Sequence, residues 1–386
     1  MKLKNTVLAA AALLSLATAA QAVDFGGYFR AGPGSKGANK CYGAPLEGGT
    51  YRLGNECNTY GEFQLSQGGK AGDVDYKATL MTNFYRPGSD IGDGKTEVKV
   101  NQIYAEAKGF DVAPNQTFWV GRRFYGRADV HMVDTFYVNM TGSGAGVDGI
   151  DLGAGLLNLA VFRTSEFDDD NQPNDLRGTR LNADLQGVVT NPGGKLRITG
   201  TFTDFKGPDG NSGFGLSLQH NQQGVLGGEN TLWLQYAQGS AYLSGNFGGG
   251  TDDSDMKRWR LIESMTWVTG PLTGQAQVLF GKQGVSGAKE AFSTIGGRVA
   301  YAFTKNFKLQ GELGFSRMKP DGGDAQRVTK FTIAPTLTVG PNYYDRPELR
   351  LYYTHGAWND TYRLNNPQFG NDKSGNSYGI QVETWF

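Results

Sequence analysis

Two segments of the chain place aromatic rings and charged side chains close together. Residues 51–60 read YRLGNECNTY, and residues 119–134 read WVGRRFYGRADVHMVD. Aromatic faces pack against apolar C–H groups, and charged groups make the stronger hydrogen bonds. A polyhydroxylated ligand presents apolar faces together with hydroxyls that need hydrogen-bond partners once water is removed. The two segments therefore favour the binding of a hydroxyl-rich molecule such as a sugar.

Residues suited to catalysis or metal binding are sparse. His131, His220 and His355 are the only histidines, none has H-E-x-x-H spacing, and no G-x-S-x-G motif occurs. A hydrolase built on Ser217 and His220 is disfavoured, because a regular strand would point them to opposite faces. Two cysteines are too few for a structural zinc site, and residues 144–149 match G-x-G-x-x-G but precede no predicted helix. We therefore expect no enzyme, no metal and no cofactor.

The first residues are typical of an export signal. Lys2 and Lys4 precede an uncharged, apolar run, and residues 20–22 (AQA) supply small residues for a cleavage site. We expect residues 1–22 to be removed, so that the mature chain begins at Val23. The alternative, a membrane-anchoring helix, is disfavoured because the apolar run is short for a span of about 20 residues.

Charge and cysteine content narrow the partners and the compartment. The chain carries 37 basic and 37 acidic residues, and loss of Lys2 and Lys4 leaves the mature protein slightly acidic. A nucleic-acid partner is not expected, because such proteins need a basic surface. Export implies an oxidising compartment. Cys41 and Cys57 are the only cysteines, so one disulfide closing a short loop is the simplest expectation.

The composition is that of a chain without a large apolar core. Glycine contributes 58 of 386 residues, and hydrophobic residues make up only 38%. No stretch after the signal is long and apolar enough for a transmembrane helix. Only helices and closed barrels satisfy every backbone polar group in lipid. If the mature chain lies in a membrane, it must do so as a closed β-barrel.

Polar and apolar residues alternate with a period of two along the whole chain. Residues 307–315 set Phe, Leu, Gly, Leu and Phe against Lys, Gln, Glu and Gly, and residues 195–202, 330–339 and 348–353 behave similarly. Charges within strands suit a wet lumen, and aromatics such as Phe303 at the ends of apolar faces suit the girdles of a membrane barrel. The pattern predicts an all-β, transmembrane antiparallel barrel. A water-soluble all-β fold is the alternative.

The runs number about 18, which is in the range of outer-membrane barrels. Residues 191–194 and 304–306 are typical of tight turns. The long connections are residues 31–60, 124–149 and 359–377. Short turns on one side and long loops on the other are typical of bacterial outer-membrane proteins. We expect a single barrel domain over residues 23–386 in the bacterial outer membrane.

The two segments rich in aromatic and charged residues resemble motifs of the maltoporin family. The resemblance includes Cys41, the GSGAG sequence of residues 142–146, the mature start VDFGGYFR at residues 23–30 and the closing residues 385–386. The similarity is strong over the first third of the chain and diffuse after Ile150. The family comprises trimeric, 18-stranded outer-membrane channels for maltose, maltodextrins and related sugars. The resemblance implies a homotrimer surrounded by lipid, oligosaccharide substrates, and a constriction loop folded into the pore at about residues 124–146.

Members of the family bind sugar between a row of aromatic rings, the aromatic slide, and a row of charged side chains, the ionic track. The matching motifs indicate which residues of this sequence would form each row. The slide residues are Tyr28, Tyr60, Tyr344 and Trp385. The track and constriction residues are Arg30, Arg52, Glu62, Arg127, Asp129, Asp134 and Phe136. Tyr28 and Trp385 would lie on neighbouring strands, because a closed barrel joins its first and last strands. For any single residue the alternative is an ordinary girdle aromatic or lumen charge.

Several positions depart from the family pattern. Phe136 stands where a tyrosine is usual, Asn139 where an aspartate is usual, and Tyr344 where a tryptophan is usual. Residues 85–95 contain no tryptophan to supply the slide position that the family takes from a neighbouring subunit. We expect facilitated diffusion of maltose, maltodextrins or related oligosaccharides. A porin for another sugar class, such as sucrose or β-glucosides, and a general diffusion porin are the alternatives.

Overall fold

The computed structural model describes residues 23–32, 41–87, 94–165, 177–207, 210–250 and 254–386. The expected signal, residues 1–22, lies outside the described residues. The strands of the first half are β1 (Asp24–Ala31), β2 (Asn58–Ala71), β3 (Val74–Pro87), β4 (Glu97–Phe110), β5 (Ala113–Arg123), β6 (Ala128–Val130), β7 (Thr135–Val138), β8 (Gly142–Asp151), β9 (Leu156–Ser165) and β10 (Arg177–Asn191). Those of the second half are β11 (Gly194–Lys206), β12 (Ser212–Val225), β13 (Gly228–Gly239), β14 (Lys257–Thr269), β15 (Leu272–Val285), β16 (Ala288–Thr304), β17 (Phe307–Pro320), β18 (Gln326–Thr338), β19 (Glu348–Trp358) and β20 (Ser374–Trp385).

Eighteen of these strands form one closed, antiparallel sheet. Each strand pairs with its neighbour along the chain, and β1 pairs with both β2 and β20, which closes the barrel. The short strands β6 and β7 form a separate hairpin between β5 and β8. A one-turn helix, α1 (Asp360–Leu364), follows β19. The predicted all-β antiparallel barrel of about 18 strands is confirmed.

No helix among the described residues is long and apolar enough to cross a membrane.

The barrel is built with apolar side chains outside and polar side chains inside. In β18 the outward residues Phe331, Ile333 and Leu337 are exposed, whereas the inward residues Lys330 and Thr332 are buried. Successive side chains of a strand point to opposite faces, so the alternation in the sequence becomes two surfaces of opposite polarity. An apolar outer face of this kind suits lipid.

One part of the interior differs from the expected wet lumen. Arg298, Glu312 and Lys330 point inward from β16, β17 and β18, yet each is at least 97% buried, and both cations contact Glu312 at 2.7 Å. The described part of the first loop, residues 41–57, covers this wall. The backbone of Leu53 donates to Glu312 at 2.9 Å and accepts from the Lys330 amine at 2.6 Å. These inward charges are therefore paired with each other and hold the loop.

The first loop also carries the disulfide. Cys41 and Cys57 are bonded, with Cα atoms 6.1 Å apart. Tyr51 lies against the wall because Gly314 and Gly296 leave room for its ring, and its hydroxyl lies 2.9 Å from the Thr294 hydroxyl. The loop thus lies inside the barrel and brings Arg52 to the lumen.

Candidate functional site

A second inward loop, residues 124–141, narrows the barrel. Its hairpin β6–β7 is joined by a short 3-10 turn, His131–Val133, and Asp134 ends that turn with φ near 50°. Within the hairpin Asp129 is paired in register with Phe136. Asp129, Asp134 and Phe136 of this hairpin line one cavity.

The constriction loop was expected at about residues 124–146, but in the structure it ends at residue 141. Residues 142–146 belong to barrel strand β8, which pairs with β5 and β9. The glycines of GSGAG resemble a loop in sequence, but they serve packing. A side chain at Gly146 would meet Trp119, and one at Gly142 or Gly144 would meet Phe162.

Buried amides of the barrel wall anchor the second loop. Gln275 accepts from the Met132 backbone at 2.9 Å, and Gln277 accepts from the Tyr137 hydroxyl at 3.0 Å. Gln235 donates to the Tyr137 carbonyl at 2.6 Å. Because a buried donor or acceptor left without its partner is costly, these bonds specify one position for the loop.

Three predicted aromatic residues lie close together at the seam of the barrel, where the first strand, β1, pairs with the last strand, β20. Tyr28 on β1 is paired in register with Trp385 on β20, and the ring of Tyr60 on β2 lies 6.1 Å from that of Tyr28. Trp385 faces the lumen, where its ring lies under the Arg346 guanidinium at 4.6 Å and edge-on to His131 at 5.6 Å. The three rings line one side of the passage.

Predicted charges form a chain of ion pairs beside these rings. Arg30 binds Asp134 at 2.8 Å and Glu56 at 2.9 Å. Arg52 pairs with Glu56 and with Glu383 at 2.9 Å, and it also donates to the Tyr28 hydroxyl at 2.6 Å. Although partial enclosure acts the other way, Arg52 and Arg30 hold the pKa of Asp134 below its usual value. The carboxylate of Asp134 is thus kept ionised while remaining partly exposed.

Glu62 extends this polar surface along β2. The Tyr60 hydroxyl donates to Glu62, and the Asn101 amide donates to the same oxygen at 3.2 Å. Glu62 lies opposite Tyr28 in the strand register, and Arg30 lies opposite Tyr60 with its guanidinium 5.4 Å from that ring. Aromatic and charged residues therefore alternate across adjoining strands.

Arg127 stands apart from the ion-pair chain. Its guanidinium stacks on Phe124 at 3.2 Å and lies 4.4 Å from the ring centre of Phe136. Its Nε donates to the Thr141 hydroxyl at 3.4 Å. Within the described residues, no ion pair joins Arg127 to Asp134. The aromatic rings orient the cation but leave hydrogen-bond donors for another partner.

His131, which the sequence reasoning did not assign to the site, links the loop to the wall. The Arg346 Nη2 atom lies 3.1 Å from His131 Nε2. Arginine carries only donors, so this contact requires His131 Nε2 to accept and the ring to be neutral. Burial lowers the pKa of His131, and Arg52 and Arg346 act in the same direction against the opposing effect of Glu383. The Glu383 carboxylate lies 3.7 Å from His131 Nε2.

Tyr344 occupies a different position from the other predicted slide residues. It lies in the connection between β18 and β19, with its ring 4.8 Å from Tyr343 and 5.8 Å from His131. Its hydroxyl accepts from Gln275 at 3.3 Å. Tyr344 is 44% exposed, so its ring is available beside the constriction loop although it does not line the same cavity.

The remaining predicted residues line one cavity of about 480 Å³. They are Tyr28, Arg30, Arg52, Tyr60, Glu62, Arg127, Asp129, Asp134, Phe136 and Trp385. Tyr85 and His131 line it as well, and sequence reasoning missed both. His131 lies two residues from Asp129 within the quoted motif, so the motif itself held the signal. Among the described residues, no cluster of His, Cys, Asp and Glu is arranged to hold a metal ion.

The sequence model of the LamB porin family matches residues 23–386. The chain belongs to the LamB porin family. It is therefore a porin of the bacterial outer membrane, and the predicted family and location are confirmed.

Other porins share the fold of this LamB-family chain. OccD3 (OpdP) of Pseudomonas aeruginosa is 10% identical, with a TM-score of 0.53 over 95% of this chain and 91% of that one. OccAB1 of Acinetobacter baumannii is 11% identical, with a TM-score of 0.53 over 94% and 96%. OpdK of Pseudomonas aeruginosa, solved with vanillate, is 11% identical, with a TM-score of 0.51 over 94% and 97%. At such identities the likeness concerns the fold alone.

Proposed function

We propose that this LamB-family porin carries out facilitated diffusion of maltose, maltodextrins or related oligosaccharides. The observation that supports the proposal best is the cavity in which Tyr28, Tyr60 and Trp385 lie beside Arg30, Asp134 and Glu62. A pyranose ring has apolar faces and a rim of hydroxyls. Stacking on the aromatic rings would cover the faces, while the charged groups would bond the hydroxyls.

In the proposed mechanism, the sugar hydroxyls exchange their hydrogen-bond partners one at a time. As a sugar moves along the seam, each hydroxyl would leave one charged partner for the next before it is fully dehydrated, so that no step carries the whole desolvation cost. Binding divided among several weak subsites also lets the solute leave, which conduction requires. Arg127, held between Phe124 and Phe136, would offer cationic donors on the loop side of the passage.

Two departures from the family pattern bear on which sugar is carried. Phe136 in place of a tyrosine removes a hydroxyl from the constriction, and Asn139 in place of an aspartate removes a charge. Both changes would weaken hydrogen bonding to a glucan. A porin for sucrose or β-glucosides and a general diffusion porin remain the alternatives.

The test is ionic current through the purified porin in a planar bilayer, titrated with maltose, maltotriose, sucrose and cellobiose. Concentration-dependent block by maltotriose, stronger than by sucrose or cellobiose, is the expected result. Preferential block by sucrose or cellobiose would point to the other sugar class. Open current that none of the four sugars reduces would overturn sugar selectivity and support a general porin.

Two further features are proposed from the resemblance and the sequence. The protein would assemble as a homotrimer in outer-membrane lipid, which gel mobility before and after heating would test. Residues 1–22 would be removed after Ala22 during export, so that N-terminal sequencing of the membrane protein should begin at Val23. A longer N-terminus would contradict the cleavage site.

A further inference from the structure

A second recess lies at the long-loop end of the barrel, formed by residues other than those of the constriction. Its inner part, about 200 Å³, is bounded by Glu47 of the first loop, Tyr242 of the segment between β13 and β14, and Arg260 of β14. An outer part of about 530 Å³ shares Tyr242, Gln283 and Glu290 with the inner part. The outer volume is within the range of small-molecule sites, roughly 300–1,000 Å³.

The strongest indication of a ligand is an unpartnered group. Arg260 is 99% buried, and it donates through Nε to Gln235 at 2.6 Å and through Nη1 to Glu47 at 3.0 Å. Its third nitrogen, Nη2, is buried without a hydrogen-bond partner, although the guanidinium lies 4.8 Å from the centre of the Tyr137 ring and Arg260 lines the inner recess. A buried guanidinium nitrogen without an acceptor is costly, so an acceptor in the recess would satisfy it.

The lining suits a neutral, hydroxyl-rich molecule. Tyr242 contributes an aromatic ring, Phe292 and Met318 contribute apolar surface, and the Gln283–Glu290 pair supplies amide and carboxylate groups bonded at 2.6 Å. The charged lining residues are balanced in sign: they are Arg258, Arg260 and Lys289 against Glu47, Glu290 and Asp321. Balanced charge does not favour an anion or a cation, whereas stacking surface beside paired donors and acceptors favours a sugar.

The site is also preformed. Tyr242 is fixed within a tight turn, where its amide donates to the Asn246 carbonyl at 3.0 Å and its carbonyl accepts from Gly245 at 3.1 Å. Its hydroxyl donates to Glu47 at 2.8 Å, which joins the turn to the first loop. A group positioned before binding loses little freedom on contact with a ligand.

We propose that this recess is an outer sugar-binding site, which holds a terminal ring of the oligosaccharide at the mouth of the channel before the chain enters the constriction. The inference rests on the proposed function for its substrate class, but it uses none of the residues assigned to the constriction. Ordered water in the recess, bonded to Arg260 Nη2, is the alternative occupant.

The test is calorimetric titration of the detergent-solubilised porin with maltotriose. The wild type is compared with a constriction variant, Tyr28→Ala with Trp385→Ala, and with that variant carrying Tyr242→Ala in addition. Tyr301→Ala, an exposed tyrosine on the outer wall, is the matched control. Residual binding in the constriction variant, weakened about tenfold or more by Tyr242→Ala, is the expected result.

The other outcomes separate the two proposals. If the wild type binds but the constriction variant binds nothing, the recess holds water only and the inference is wrong, while the proposed function stands. Residual binding unchanged by Tyr242→Ala and by Gln283→Leu would also overturn it, because the second site would then lie elsewhere. A wild type that binds no maltotriose would overturn the proposed function and the inference together. Circular dichroism verifies that each variant is folded.

Discussion

Tyr28 and Trp385 lie directly opposite each other where the last strand of the barrel pairs with the first. Both side chains line the same cavity, and the Tyr28 hydroxyl is fixed by a 2.9 Å bond to Glu383. Residues separated by nearly the whole chain thereby form one aromatic surface. Its position beside the ion pairs of Arg30 and Arg52 makes the seam the sugar path of the proposed function.

Removal of the Trp385 ring should weaken sugar binding without changing the fold. Trp385→Ala is expected to lose about 0.5–1.5 kcal/mol of maltotriose binding, the usual value of an aromatic contact beyond its area. Current block in a planar bilayer measures the change. In parallel, the sugar-dependent change in tryptophan fluorescence should disappear in Trp385→Phe and persist in Trp259→Phe, whose ring lies on the outer face. Unaltered block together with a persisting signal in Trp385→Phe would remove Trp385 from the sugar path.

Arg127 and Asp134 should contribute separately to sugar binding. Each has its own partners, since Arg127 stacks on Phe124 and Phe136 whereas Asp134 pairs with Arg30. Arg127→Ala and Asp134→Ala are each expected to weaken block by about 1.5–3 kcal/mol, the value of a hydrogen bond to a charged group. Resistance to heat denaturation should hardly change. Variants that lose heat resistance yet bind sugar as before would show that these residues only hold the loop.

Acid should loosen the constriction loop through His131. The contact with Arg346 requires a neutral imidazole, and burial lowers its pKa below the ordinary value of about 6.5. The neutral ring therefore contributes stability that is fully present above pH ~6.5 and is lost as the pH falls toward the lowered pKa of the folded state. Glu383 opposes this shift, whereas Arg52 and Arg346 reinforce it.

We accordingly expect single-channel current noise to rise and maltotriose block to weaken between pH 7 and pH 4.5. His131→Gln keeps an acceptor for Arg346 but cannot be protonated in this range, so it should abolish that part of the pH dependence. His355→Gln, at a half-buried position on the barrel wall outside the constriction, is the matched control. A pH response that is the same in His131→Gln and wild type would assign the effect to other groups.

The bond between Cys41 and Cys57 should stabilise the first loop and hence the position of Arg52. The enclosed segment has a sequence separation of 16, for which the chain-entropy relation gives about 3 kcal/mol. Thiol labelling of the non-reduced mature protein should detect no free cysteine. Sugar should block the ionic current of the Cys41→Ser, Cys57→Ser double variant less strongly than that of the wild type. Two labelled thiols in the native protein would contradict the pairing.

The sequence by itself determined the barrel. Alternation with a period of two is a local property, and it fixes which side chains face outward regardless of the rest of the fold. Closure follows because an open edge is not tolerated in lipid, and closure alone predicts that Tyr28 and Trp385 lie on neighbouring strands. The motifs likewise pointed to ten residues that line one cavity.

Only the tertiary structure decided how the loops fill that barrel. The contact of His131 with Arg346 joins an inward loop to the connection between β18 and β19. Neither segment has a regular alternation of polar and apolar residues that would specify its position. The same holds for Glu312, whose lumen position was predictable but whose burial under Leu53 depends on the path of the first loop. The glycines of residues 142–146 resembled a loop until Phe162 and Trp119 were seen to occupy their space. Strand patterns are repeated and local, whereas loop positions depend on single hydrogen bonds between distant residues, and those bonds exist only once the chain has folded.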